Sequence, residues 1–136
     1  GIFGWSFGGY MACLAATRGG DTWRAAVAVA PVTSWRFYDT IYTERYLSTP
    51  QENPQGYDLN SPLTYADDLS SRLLLVHGTA DDNVHFQNSM QFSGLLVSAG
   101  KPFEQMVYAD KNHSIYGGAT RLHLFSKITN FLLTNL

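Results

Sequence analysis

The stretch GIFGWSFGGYMACLAATRGG, residues 1–20, decides how the rest of the chain is read. A short apolar run leads to a lone serine, Ser6, placed between Gly4 and Gly8, and a small-residue segment follows. Residues 4–8, GWSFG, match G-x-S-x-G, which carries chemical meaning only where it joins the end of a strand to the start of a helix. That context is present. Residues 1–4 read as a strand tail, and 8–18 read as a helix closed by Gly19 and Gly20. In such a turn the serine is strained and its hydroxyl exposed, and neighbours bearing a Cβ would collide with strand or helix. The backbone N–H of Phe7 then lies at a helix N-terminus, where it can stabilise an oxyanion.

Outward from this turn the chain alternates strand and helix. AAVAVA at 25–30, RLLLVHG at 72–78 and FEQMVYA at 103–109 read as strands, the first two as fully buried runs. Helices are expected over 84–98, capped by Asp82 or Asn83, and over 119–134, with Leu122, Phe125, Ile128 and Leu132 as its apolar stripe. Buried strands joined by helices imply an α/β fold with a mostly parallel sheet and right-handed crossovers. The segment between Pro31 and Arg72 reads as a short helix over 34–47 followed by irregular loop.

Composition narrows the function classes. A net charge of −2 supplies no basic field, so nucleic acid is not an expected partner. One cysteine, Cys13, excludes an internal disulfide framework and a multi-thiolate metal site. No apolar run approaches the ~20 residues needed to cross a membrane, and no signal peptide is visible. The chain starts at Gly1, inside a strand tail, as expected of a C-terminal piece of a longer protein whose earlier strands would pair with that open edge.

If Ser6 is a nucleophile, an acid and then a histidine should follow it, each in a loop after a later strand. The strand ending at His77 runs into HGTADDNV, which holds Asp81 and Asp82. Asp82 is the better placed of the two to cap the next helix, which leaves Asp81 free to turn toward the active centre. Four histidines compete for the base. His77 ends a strand and is expected to bond loop backbone; His85 lies too close to Asp81 in the chain; His123 is mid-helix. His113, in YADKNHSIYGG, alone sits in a loop at the carboxyl end of a later strand. The expected triad is Ser6, Asp81 and His113.

GWSFGGY, HGTADDNV and NHSIYGG together resemble the catalytic domain of the prolyl oligopeptidase family of serine peptidases. PVTSWRFYDTIYTERYL, residues 31–47, is similar to the substrate-pocket segment of its dipeptidyl peptidase IV branch. The resemblance spans essentially the whole chain and implies the C-terminal portion of an α/β-hydrolase fold. In that family the acid is the fifth residue of H-G-x-x-D-x-x-V, which is Asp81 here. The resemblance also implies that Val32, Trp35, Tyr38, Tyr42 and Val84 line a pocket for a proline ring, and that Asn83 bonds the carbonyl of the substrate's first residue. Trp35, Tyr38 and Tyr42 are spaced to share one helical face, and flat aromatic walls suit a pyrrolidine ring. Many members have tyrosine where this chain has Phe7, a change that spares the N–H donor.

The implied activity is release of N-terminal X-Pro or X-Ala dipeptides from peptide substrates through an acyl-enzyme, with no metal or organic cofactor. Sister activities share the machinery: acylaminoacyl peptidase, oligopeptidase or esterase. A non-enzymatic interaction module is the remaining reading; the aromatic segment argues against the sister activities and the complete triad against the module. A second oxyanion donor, from an earlier loop, and the paired glutamates that hold the substrate amine, from an N-terminal β-propeller, are family features outside these 136 residues. The isolated chain is therefore expected to be nearly inactive. By the same resemblance the location is extracytoplasmic and the full protein is a homodimer, associating through the end of this domain.

Overall fold

The computed structural model describes residues 1–136. Four strands, β1 (Ile2–Trp5), β2 (Ala25–Val29), β3 (Arg72–Gly78) and β4 (Glu104–Tyr108), form one sheet in the order β1-β2-β3-β4. Every pairing is parallel, with Phe3 beside Val27, Val27 beside Leu74, and Leu74 beside Glu104. The parallel α/β sheet expected from the buried runs is therefore present. β2 and β3 are central and buried, while the edge strand β1 leaves Phe3 45% exposed.

A strand buried on both faces must be apolar at every position, and the alternation then assigns each residue to a layer. Ala26, Ala28, Leu73 and Leu75 face α1 (Phe7–Arg18) and α4 (Gln87–Ser98), packing on Ala12, Cys13, Ala16, Phe92 and Leu96. Ala25, Val27, Val29, Leu74 and Val76 face α5 (Thr120–Asn135), packing on Leu124, Ile128 and Phe131. A third cluster, Tyr10, Val32, Trp35, Tyr57 and Val84, gathers residues that follow the carboxyl ends of β1, β2 and β3. Cys13 is fully buried, which pushes its thiol pKa up and removes it as a competing nucleophile.

Four elements differ from their sequence expectations. The helix expected over 84–98 begins only at Gln87, because residues 82–86 are turns whose polar groups are engaged elsewhere. The helix expected over 34–47 divides into a 3-10 turn, Trp35–Phe37, and α2, Thr40–Leu47, capped by Asp39 accepting from the Tyr42 N–H at 2.8 Å. The expected irregular loop contains α3, Pro54–Leu59, started by an Asn53 cap and proline at N1. On α5 the expected stripe holds in part: Ile128 is buried and Leu132 packs on the same core, but Leu122 and Phe125 are 74% and 45% exposed, and Leu124 and Phe131 are buried instead. No helix is long and apolar enough to cross a membrane.

Candidate active site

Ser6 stands between β1 and α1 with φ 59° and ψ −118°, a left-handed backbone that costs a non-glycine residue of order 1–3 kcal/mol. Its neighbours hold that conformation: the Ser6 N–H donates to the Val29 carbonyl and the Ser6 carbonyl accepts from Tyr10 N–H, both at 2.9 Å. Gly4 is required by close approach, since a Cβ there would overlap the carbonyl of Gly8. A Cβ on Gly8 would itself meet nothing outside its own helix. Of the two motif glycines, Gly4 alone meets the collision expected around the serine; the neighbouring Gly9 would also press on the Val29 carbonyl. Phe7 opens α1, so its N–H has no intrahelical acceptor and points out of the helix N-terminus.

Asp81 lies in the turn after β3 and is 5% exposed. Its Oδ1 accepts from the backbone N–H of Asn83 at 3.0 Å and of Val84 at 2.9 Å. Its Oδ2 meets His113 Nδ1 at 2.7 Å and His77 Nε2 at 3.2 Å. Burial alone would raise the carboxyl pKa. The hydrogen bonds from His113, His77 and the Asn83 N–H outweigh burial and hold it well below the ordinary carboxylate range. An ionised Asp81 can only accept, so His113 Nδ1 carries the hydrogen and Nε2 presents its lone pair. Neither His113 Nε2 nor Ser6 Oγ is used in any hydrogen bond within the chain, which leaves both free for a reacting group.

His113 sits between β4 and α5 and is held from below. A Cβ on Gly78 would overlap the carbonyl of Lys111, so this glycine lets the end of β3 touch the His113 loop. Ala80 N–H donates to the Lys111 carbonyl and Thr79 N–H to the Tyr108 carbonyl, both at 3.0 Å. The loops that carry Asp81 and His113 are therefore joined by backbone as well as by those two side chains.

The aromatic residues separate into two clefts. Trp35 and Tyr42 stack at 5.9 Å and 27° and, with Phe7, Tyr10, Tyr46 and Leu47, line an apolar cleft of about 520 Å³. Tyr38 packs edge-on to Trp35 and to Tyr42, and its hydroxyl donates to Asn83 Oδ1 at 2.8 Å. Tyr38 and Asn83 line the adjoining polar cleft with Arg36, Asp39, Asp82 and His85. Val32 and Val84 lie beneath, buried against Tyr10 and Trp35. The rings do meet, but across a 3-10 turn and a capped helix, not along a single helical face.

A model of the prolyl oligopeptidase family matches residues 1–136, the whole chain. The chain belongs to the prolyl oligopeptidase family. It is 42% identical over 134 residues to dipeptidyl peptidase 4 of Felis catus, covering 96% of this chain and 18% of that protein. It is 43% identical over 134 residues to prolyl endopeptidase FAP of Mus musculus, with the same coverage of 96% and 18%. The crystal structure of Porphyromonas gingivalis dipeptidyl peptidase 4 superposes with a TM-score of 0.98 at 53% identity, over 99% of this chain and 19% of that one. The chain thus spans under a fifth of the length of these relatives, and its sheet is of the α/β-hydrolase type.

Within this family member, several site neighbours were not evident from sequence. His77 is fully buried and bonds the Val84 carbonyl through Nε2 at 2.8 Å and Ser89 Oγ through Nδ1 at 2.6 Å. The loop-backbone bond was expected of it; its approach to Asp81 was not. Phe7 was expected to contribute its N–H to catalysis and its side chain to the adjoining pocket surface; its ring packs on Tyr10 and Trp35 at 5.4 and 6.0 Å. Asp82, expected to cap the following helix, makes no such bond, and α4 has no side-chain cap. Asp81 makes the capping-type bonds itself with one oxygen and meets His113 with the other.

Proposed function

We propose that the protein to which these residues belong is a serine exopeptidase that releases N-terminal X-Pro or X-Ala dipeptides. Residues 1–136 would form the part of its catalytic domain from the nucleophile turn to the last helix. Ser6 attacks the carbonyl after the second substrate residue while His113 Nε2 takes the hydroxyl proton. His113 then gives that proton to the leaving amine, and water releases the dipeptide from the acyl-enzyme. Asp81 fixes the imidazole tautomer and stabilises its charged form. The Phe7 N–H donates to the oxyanion.

The observation that carries this reading is the 2.7 Å contact of Asp81 Oδ2 with His113 Nδ1, in two loops on the same sheet end as the strained Ser6. The substrate class rests on the stacked Trp35 and Tyr42, the buried Val32 and Val84, and Asn83 oriented by Tyr38. Because the relatives include a protein named as a prolyl endopeptidase, internal cleavage after proline is the competing reading.

Chromogenic Gly-Pro, Gly-Ala and N-blocked Gly-Pro substrates separate the two in the full-length protein, with Ser6→Ala as control. Turnover of the unblocked substrates alone, abolished by Ser6→Ala, is the expected result. Equal turnover of blocked Gly-Pro would move the assignment to the endopeptidase. Purified residues 1–136 should run at least ~100-fold slower than the full protein for lack of one oxyanion donor. Full-rate turnover by the isolated chain would refute that expectation. An extracytoplasmic location and a homodimer belong to the same proposal.

A further inference from the structure

The His113 loop is gripped from two further directions by residues that the proposed chemistry does not use. Trp5, the last residue of β1 and immediate neighbour of Ser6, donates its indole N–H to the backbone carbonyl of His113 at 3.0 Å. Arg121, in the first turn of α5, donates its Nε–H to the carbonyls of Ser114 at 3.0 Å and Ile115 at 3.1 Å. The Arg121 guanidinium also lies 5.2 Å from the centre of the Trp5 ring, a cation–π contact. Three successive carbonyls, those of residues 113, 114 and 115, are thereby tied to two side chains that also hold each other.

The loop has reason to need this. Ile115 is fully buried and has φ 43°, a left-handed conformation that is strained for a β-branched residue. Gly117 and Gly118 follow at positive φ, and the local bonds to Asn112, from Ser114 N–H and Ile115 N–H at 3.1 Å each, leave the carbonyls of residues 113–115 for other partners. Asp81 holds only the imidazole; it does not fix where the backbone beneath it sits.

We propose that Trp5 and Arg121 act as paired positioning residues. They lock the backbone of the His113 loop to the strand that carries Ser6, so that base and nucleophile keep their separation during acylation. The inference rests on the reading of Ser6 and His113 given above. The pair touches no reacting atom. Trp5 is the more informative half, because it couples the two catalytic loops through one hydrogen bond.

The test uses the full-length protein, with active sites counted by fluorophosphonate titration and rates expressed per titrated site. Trp5→Phe keeps a ring but removes the donor; Arg121→Met removes both carbonyl contacts and the charge from an exposed position, where misfolding is not expected. Both should lower kcat by ~10–100-fold, the cost of misplacing a reacting group by a fraction of an ångström to an ångström, with KM changed by less than about threefold. Arg121→Lys, which retains a donor without the planar fork, should recover part of the loss. The double variant should lose less than the product of the two single losses, because the residues act as a unit.

A purely structural role would lower the melting temperature and the titratable fraction while leaving kcat per site unchanged. That result in Arg121→Met, or in both variants, overturns the proposal. Unaltered activity in His113→Ala would overturn the reading of the site and the clamp together. Loss in His113→Ala with normal kcat in Trp5→Phe and Arg121→Met would overturn the clamp alone.

Discussion

Asp81→Asn is the substitution whose outcome the geometry constrains most tightly. Asparagine is nearly isosteric, and its amide can in principle present either oxygen or nitrogen to His113. Here the choice is removed. The Oδ1 position receives two backbone N–H donors, from Asn83 and Val84, so the amide oxygen must stay there and the NH2 must face the histidines. Opposite an NH2, His113 Nδ1 has to become an acceptor, which moves the ring hydrogen to Nε2 and leaves no lone pair for the Ser6 proton. His77 has no equivalent escape: the Val84 carbonyl keeps a hydrogen on its Nε2, which then points toward the new NH2. The wrong tautomer is worth a factor of about 10⁴ in kcat, or about 5.4 kcal/mol of transition-state stabilisation. Folding stability should fall by a smaller amount, about 1.5–3 kcal/mol, the range of one lost hydrogen bond to a charged group. The assay is single-turnover acylation of the full-length variant, paired with its denaturant midpoint. Acylation within tenfold of wild type in a folded variant would refute the assigned tautomer and the role of Asp81.

Other consequences follow from the same contacts. Because the folded-state pKa of Asp81 is depressed, its contribution to stability is present above the ordinary carboxylate value and is lost as pH falls below about 4. Denaturant midpoints of wild type should therefore drop more steeply below about pH 4 than those of Asp81→Asn, and parallel curves would count against the linkage. Gly4→Ala should cost about 3 kcal/mol or prevent folding because its Cβ overlaps the Gly8 backbone. Gly8→Ala, with open space for its Cβ, should gain ~0.5–1 kcal/mol, and equal destabilisation of the two by thermal melting would contradict this asymmetry. Tyr38→Phe frees the Asn83 amide, so kcat/KM for Gly-Pro substrates should fall ~3–10-fold with stability nearly unchanged. No change would mean that Asn83 needs no help to keep its orientation.

The fold was legible where a single period or motif had one structural solution. AAVAVA and LLLV are short apolar runs, ended by Pro31 and by His77-Gly78, and runs of that length with such ends read as strands covered on both faces, so the parallel sheet could be inferred. Helix α5 offered more apolar residues than one face can hold. Of the expected stripe, Ile128 and Leu132 do pack on the sheet, but Leu122 and Phe125 satisfy helical spacing as well as Leu124 and Phe131 do, and only the register against Val27 and Val76 selects the latter pair. The start of α4 was misplaced for a different reason. Asp82 and Asn83 look like caps, but the N–H groups they precede are occupied by Asp81, and the Val84 carbonyl by His77, so the turn closes before the helix begins. Asn53-Pro54 did advertise a helix start, and the proline-rich segment around it obscured the signal.

The candidate site shows the same division between residue type and residue contact. Chain order and loop position singled out Ser6, His113 and the Asp81-Asp82 pair as candidates, because each follows the carboxyl end of a strand and parallel strands bring those ends together. Asp81 was chosen because Asp82 looked committed to capping; in the structure the capping-type bonds are made by Asp81 itself, through the oxygen that does not meet His113. One carboxylate thus fixes both its own turn and the imidazole, which makes that turn's rigidity a condition for orienting the proposed base. Trp5 and Arg121 lay beyond sequence reading: a contact spanning 108 residues and a carbonyl acceptor leave no trace in residue type. A motif names the groups that exchange protons, and their separation is set by backbone carbonyls that any residue could supply. For this reason the steric and hydrogen-bond environment of the His113 loop, more than the identity of His113, should distinguish a fast family member from a slow one.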